Sequence, residues 1–173
     1  MRQREQPPVD LRELTREQVE EWYQKTLDAA ARQLSYRALS ESALRQKLLD
    51  KAYPEQAVDY ALAYLSEHGF LNDQQYAQST MRSYTRRGYG TLRIRQELRR
   101  RGVAAEQADE ALDEYEPNWE AMRALLDRRL HGDLSDRREV QKAVAALQRR
   151  GFLWEDIRRA LNEYGASIEA DFD

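Results

Sequence analysis

The chain has 173 residues, 41% hydrophobic and 34% charged, with a mean hydropathy of -0.93 and a formal net charge of -3. No apolar run approaches the roughly 18 residues that span a bilayer, and there is no cysteine, which rules out disulfides, thiolate nucleophiles and cysteine-held zinc. The opening MRQREQPPVD has no apolar signal core, so a cytoplasmic protein is expected.

Residues 1–14 are expected to form a flexible N-terminus. A long helix is predicted from about Thr15. Thr15 and Gln18 have capping-box spacing, and Val19, Trp22, Tyr23, Thr26, Leu27, Ala30, Ala31 and Leu34 keep a helical period. LRQKLLDKAYPEQAVDYALAYL (44–65) then reads as two helices, with Pro54 in the first turn of the second and His68-Gly69 at its end. Asn72 and Gln75 start another helix, DQQYAQSTMRSYTRR, with Tyr76, Ala77, Met81 and Tyr84 facing inward. After the Gly88-Tyr89-Gly90 turn, IRQELRRRGVAAEQADEALDEY (94–115) repeats the pattern of helix, glycine turn and helix. NWEAMRALLDRRL follows, with Trp119, Met122, Leu125, Leu126 and Leu130 inward, then the connector HGDLSD and a helix started by Asp136 and Glu139. AVAALQRRGFLWEDIRRALNEY (143–164) ends the pattern, and the acidic residues 166–173 are expected to be a flexible tail.

The three two-helix segments align on one another at offsets of about 50 residues. Leu48, Leu98 and Leu147 coincide, as do Ala61, Ala111 and Ala160, then Leu62, Leu112 and Leu161. Gly102 and Gly151 share a place that Ala52 fills in the first copy. No sustained two-residue alternation marks a strand. The sequence therefore predicts an all-α protein, an elongated tandem array of three three-helix units with about nine helices. The units are placed at 15–68, with the long N-terminal helix, at 69–116 and at 117–165.

No constellation for catalysis, metal or cofactor binding is apparent. His68 and His131 sit at separate helix ends, and the carboxylates fall on helix faces rather than converging on a cleft. The protein is expected not to be an enzyme.

Charge is instead arranged in blocks. Residues 82–102 hold eight arginines against one glutamate, and 102–122 hold seven acidic groups with no lysine or arginine. Three readings of the arginine stretch stand. The arginines are solvated and paired with the acidic helix that follows; or the two helices form a helix-turn-helix; or a basic face meets an acidic protein surface or a nucleic acid backbone. The second is disfavoured, because the helix that would enter the major groove carries Glu106, Asp109, Glu110, Asp113 and Glu114. Exposed ion pairs are worth only ~0–1 kcal/mol each, so stability alone does not account for such one-sided clustering. On the third reading, Arg95 and Arg99 share one edge of their helix, Arg93 and Arg100 flank Glu97 on another, and Tyr89 projects from the turn behind Arg86 and Arg87.

GFLND (69–73), Tyr76-Ala77 and RRGYGTLRIRQELRRRGV (86–103) together resemble the central signature of the RecX regulators of RecA recombinase. The resemblance extends more weakly over about 27–165 and includes GFLWEDIRRAL (151–161). It implies a three-unit helical protein that lodges in the groove of the RecA–single-stranded-DNA filament. There it would restrain ATP hydrolysis, strand exchange and LexA cleavage, without catalytic residues or cofactor. The expected partner is the RecA nucleoprotein filament, with direct single- or double-stranded DNA contact also attributed to the family, and the protein is expected to act as a monomer away from membranes. A non-specific nucleic-acid-binding helical repeat protein is the alternative. Carried over residue by residue, the binding face falls on Arg82, Arg86, Arg87, Tyr89, Arg93, Arg95, Arg99 and Arg100. Gly69, Phe70, Leu71 and Asp73, with Gly88, Gly90 and Gly102, are expected to be structural turn residues. Ala52, in place of glycine, puts the geometry of the first unit's turn in doubt, and the residues before about Thr26 fall outside the shared pattern.

Overall fold

In a computed structural model of the chain, residues 9–171 are described, with side chains to residue 165. Residues 1–8 of the expected flexible N-terminus, and the side chains of the expected acidic tail, lie outside the described residues. Nine α-helices and no strand are found among the described residues. They fall into two compact units. One runs to Tyr76 and includes Arg101–Val103; the other comprises Ala77–Arg100 and the residues from Ala104 onward.

The first unit contains α1 (Arg16–Tyr36), α2 (Glu41–Leu49) and α3 (Glu55–Glu67). Thr15 caps α1 as its spacing predicts: its hydroxyl accepts from Gln18 N, and Gln18 Oε1 accepts from Thr15 N. Ahead of α1, Asp10 caps a single 3₁₀ turn, Leu11–Glu13, and Leu11 is buried. The core collects Ala29 and Ala30 of α1, Leu44 and Leu48 of α2, and Val58, Ala61, Leu62 and Leu65 of α3. Leu71, from the GFLND turn, closes this core, and its N–H donates to the Leu65 carbonyl. Asp73 caps the neighbouring element, its Oδ1 accepting from Glu41 N at 2.7 Å. Phe70, expected as a structural turn residue, donates its N–H to the Leu65 carbonyl at 2.8 Å and has its side chain 69% exposed. Its ring borders a groove with Leu27, Ala31, Leu34, Tyr64 and Leu65, because the chain turns at Gly69, φ +74, and presents alternate residues to core and solvent.

Helix α4 (Asp73–Arg86) leads from the first unit into the second, which continues with α5 (Thr91–Arg100), α6 (Ala105–Leu112), α7 (Trp119–Leu130), α8 (Arg137–Arg149) and α9 (Trp154–Asp171). Ala77, Met81, Ile94, Leu98, Ala108 and Ala111 are buried, one stripe from each helix. Burying a leucine such as Leu98 stabilises by roughly 1.5–3 kcal/mol. A second core gathers Met122, Leu125, Leu126 and Leu130 of α7, Leu147 of α8, Phe152, and Ile157 and Tyr164 of α9. Residues 166–171, placed in the expected tail, continue the backbone of α9.

A recurrent joint explains the glycines that follow the middle helices. In the first unit the Ser40 hydroxyl donates to the Arg101 carbonyl. Gly102 has φ +77, and a Cβ there would lie 2.7 Å from Ser42. In the second unit the corresponding start of α5 meets the turn after α8: Gly90 N donates to the Arg150 carbonyl at 2.9 Å and Leu92 N to the Gly151 carbonyl at 3.1 Å. A Cβ on Gly151 would sit 2.3 Å from Arg93 N, and one on Gly90 2.3 Å from the Gly151 carbonyl oxygen. Ala52 holds the same left-handed turn, φ +61, and is exposed. The first turn thus keeps the geometry of the others. It does so with a Cβ in place, in a left-handed conformation that glycine adopts at no steric cost.

Candidate partner-binding face

The arginine stretch spans the end of α4, the 87–90 turn and all of α5, and the second unit holds it from several sides. Asn118, which caps α7 by accepting from Ala121 N at 3.0 Å, also donates through Nδ2 to the carbonyls of Thr85 and Arg86. The Tyr115 hydroxyl donates to the Tyr89 carbonyl at 3.2 Å. Burial, and then the Asp156 carboxylate, push the Tyr115 pKa up, so the phenol remains protonated and keeps donating. Arg150 Nη1 donates to the carbonyls of Arg87 and Gly88. Gly88 supplies the positive φ, +76, that ends α4.

Tyr89 does not project from this turn. It is half-buried, tilted against Tyr84 at 5.3 Å, with the Arg87 guanidinium 4.7 Å from the Tyr84 ring centre and 5.3 Å from its own. Arg150 lies 5.7 Å from the same Tyr89 ring. The aromatic faces are already occupied by cations, an arrangement worth roughly 0.5–1 kcal/mol where exposed. This orders Arg87 and its turn, and leaves less of Tyr89 for a partner than the spacing predicted.

Along α5 the side chains divide by their partners. Arg95 Nη2 is 2.8 Å from Asp109 Oδ1 of α6, and Arg82 Nη2 of α4 is 3.7 Å from Glu114 Oε2. Both pairs are solvent-exposed, so each is worth ~0–1 kcal/mol and a stronger anion can displace the carboxylate. Arg100 is 72% exposed on its side chain and forks onto Glu97, with contacts of 3.1 and 2.6 Å. Glu97, expected on an outer edge between basic neighbours, is instead buried, at 4% exposure, because Leu98 and Ile94 turn that side of α5 inward. Arg93 Nη1 donates to Gln96 Oε1 at 3.1 Å. Arg86 and Arg99 are exposed and form no ion pair among the described residues. Arg101 stands apart: it belongs to the first unit, half-buried, with Nη1 donating to the Tyr76 hydroxyl.

The acidic helix therefore neutralises part of the stretch, as the first reading held, while the guanidinium groups stay at the surface. Sequence reasoning missed Asn118, Tyr115 and Arg150. All three come from more than 25 residues away in the chain, and no motif marks them. The result is an exposed, cation-rich surface.

Three family models match the chain: the first three-helix domain of RecX at 27–65, the second at 72–112 and the third at 116–161. The chain is 36% identical over 138 residues to a regulatory protein RecX from Vibrio vulnificus, covering 79% of this chain and 90% of that one. It is 40% identical over 135 residues to a regulatory protein RecX from Halorhodospira halophila, covering 77% and 84%. Among solved structures, RecX from Lactobacillus salivarius superposes with a TM-score of 0.78 at 23% identity, over 84% of this chain and 97% of that chain, a likeness of fold. A regulatory protein RecX structure gives 0.74 at 26% identity, over 87% and 80%. The relatives are named as regulators, and no helix among the described residues is long and apolar enough to cross a membrane. With all three domains matched in order and most of each relative covered, the chain belongs to the RecX family of regulatory proteins.

Proposed function

We propose that this protein is a non-enzymatic, cytoplasmic regulator that binds as a monomer in the groove of the RecA–single-stranded-DNA filament. There it restrains ATP hydrolysis, strand exchange and the filament's stimulation of repressor cleavage. The binding face is formed by Arg82, Arg86, Arg87, Arg93, Arg95, Arg99 and Arg100, with Tyr89 acting mainly to order the turn. The observation that carries this reading is the exposure of these guanidinium groups on a pinned scaffold, in a chain of the RecX family. Surface ion pairs such as Arg95–Asp109 keep the arginines extended, and exchange readily for carboxylates of a partner.

The test is ATP hydrolysis by RecA on single-stranded DNA, with saturating amounts of the parent protein and of the Arg95→Glu, Arg99→Glu double variant. The parent is expected to suppress hydrolysis, and the variant to lose suppression while its far-UV circular dichroism matches the parent. Unchanged hydrolysis and repressor cleavage with the parent overturn the function. Full suppression by the variant removes these two arginines from the face.

A further inference from the structure

The first unit carries an apolar groove of about 590 Å³, and no lysine or arginine lines it. One wall is α1, where Leu27, Ala31 and Leu34 stand at i, i+4 and i+7 and form a single stripe ~10 Å long. The other wall is Tyr64 of α3 with the Phe70 ring, over a floor of buried Leu65. Tyr60, 41% exposed and 6.3 Å from Tyr64 between ring centres, extends the aromatic wall. Phe70 is 69% exposed, whereas Phe152, which also follows a glycine of positive φ, is 2% exposed. A phenylalanine after such a glycine can therefore enter a core, and Phe70 does not. Apolar surface left open beside a groove marks an interaction site.

The walls are held in place before any partner arrives. The N–H groups of Phe70 and Leu71 both donate to the Leu65 carbonyl, at 2.8 and 3.1 Å. The His68 ring stacks on Tyr64 at 4.0 Å between centres, and its Nδ1 lies 2.7 Å from the Tyr64 carbonyl. A groove fixed in this way gives up little conformational freedom on binding. Charge at the groove has one sign. Asp28 is its charged lining residue, and its carboxylate accepts from Gln24 Nε2 but has no ion pair among the described residues. Helix α3 carries Glu55, Asp59 and Glu67 and no lysine or arginine. Arg45 of α2 neutralises Asp59 at 2.6 Å. Glu67, three residues beyond Tyr64 and on its side of the helix, has no ion pair among the described residues. It sits in the last turn, where a carboxylate adds to the partial negative charge of the terminal carbonyls. That placement works against α3 itself, and a cation supplied from outside relieves it.

We propose that the α1–α3 groove takes an amphipathic helix of a protein partner, one with apolar anchors at i, i+4 and i+7 and lysine or arginine beside them. The α1 stripe sets the spacing, since anchors on a docked helix repeat as Leu27, Ala31 and Leu34 repeat along α1. Asp28 and Glu67 select the basic edge, and repel a helix flanked by carboxylates. The partner's charge is thus opposite to the one that suits the arginine face, and the site stands independently of filament binding.

The experiment uses the full chain and fluorescein-labelled peptides of about 18 residues, about five helical turns. One peptide has a leucine stripe flanked by lysines. A second has glutamates in place of the lysines, and a third is the lysine peptide with central prolines that break its helix. Anisotropy is expected to show the lysine peptide binding at least tenfold tighter than either of the others. Phe70→Ala removes an exposed ring and keeps the hydrogen bond to Leu65, so its far-UV circular dichroism should match the parent. Its affinity for the lysine peptide should fall at least tenfold, and Asp28→Asn should narrow the preference for lysine over glutamate. In the parent, amide resonance shifts on adding the lysine peptide should gather in α1, α3 and residues 69–71. A parent that binds none of the peptides overturns the proposal, as does a Phe70→Ala protein that binds the lysine peptide as tightly as the parent. Equal binding of the glutamate or proline peptide, or shifts confined to other helices, overturns it too. So does a concentration-dependent dimer that Phe70→Ala dissociates, since the occupant is then a second copy of this chain. Because no RecA is present, failure here is read separately from failure of ATPase control.

Discussion

Replacing Gly151 by alanine isolates the contact that joins the second and third three-helix domains. Gly151 has φ +85, a conformation that costs an L-residue roughly 1–2 kcal/mol. The new Cβ would also lie 2.3 Å from Arg93 N and 2.6 Å from Arg93 Cβ, and neither atom swings aside as the end of a flexible side chain would. Either the clash persists as overpacking, at roughly 1–3 kcal/mol, or α5 withdraws. Withdrawal gives up the Gly90–Arg150 and Leu92–Gly151 backbone hydrogen bonds, each worth roughly 0.5–1.5 kcal/mol net. The two routes cost similar amounts, so the total should be about 2–5 kcal/mol. Gly69→Ala provides the control: φ is +74 there, but nothing lies within 4 Å of the added Cβ, so only the backbone cost of about 1–2 kcal/mol applies. Gly90→Ala provides the converse, a 2.3 Å approach without a positive φ. Urea unfolding followed by circular dichroism measures all three, and the Gly90→Ala, Gly151→Ala combination should fall short of additivity because both changes break one joint. A Gly151→Ala protein no less stable than Gly69→Ala would refute the reasoning.

Leu98→Ala should destabilise by about 2–5 kcal/mol, because Leu98 is fully buried in α5; unfolding at the parent's midpoint would remove it from the core. Burial raises the Asp73 pKa above 3.8, against the lowering effect of the hydrogen bond from Glu41 N. A raised folded pKa means the carboxylate is penalised at neutral pH, and the penalty disappears as pH falls below about 3.8. Asp73→Asn, which keeps the acceptor for Glu41 N, should therefore stabilise at pH 7 by no more than about 1 kcal/mol, since Asp73 is half-exposed. That advantage should shrink on acidification, and urea midpoints at neutral and acid pH decide it; an advantage growing toward acid would contradict the burial argument.

Much of the fold was legible because helices are written locally. Thr15 and Gln18, Asn72 and Gln75, and Asp136 with Glu139 are each three residues apart, and all three caps form as read. The same holds for the apolar stripes, since residues four apart share a face whatever the neighbouring helix is. The candidate face was legible only in outline. The density of arginine in 82–101 showed in the composition, but Glu97 looked like an outer residue until the packing of Ile94 and Leu98 turned it inward. Tyr89 looked free until Tyr84, Arg87 and Arg150 closed on it.

From the sequence alone came the helical class, the three repeats, the glycine turns and the region where cationic charge gathers, all carried by residues near one another in the chain. Only the tertiary structure decided which charges remain available. Arg95 meets Asp109 and Arg82 meets Glu114 across helices, whereas Arg129 and Arg149 meet no carboxylate among the described residues. It also separated Gly90, where a neighbouring backbone forbids a Cβ, from Gly69, where space is open. The reason is physical: propensity and periodicity act within a few residues, while charge compensation and steric exclusion depend on distances between atoms that the chain order does not encode.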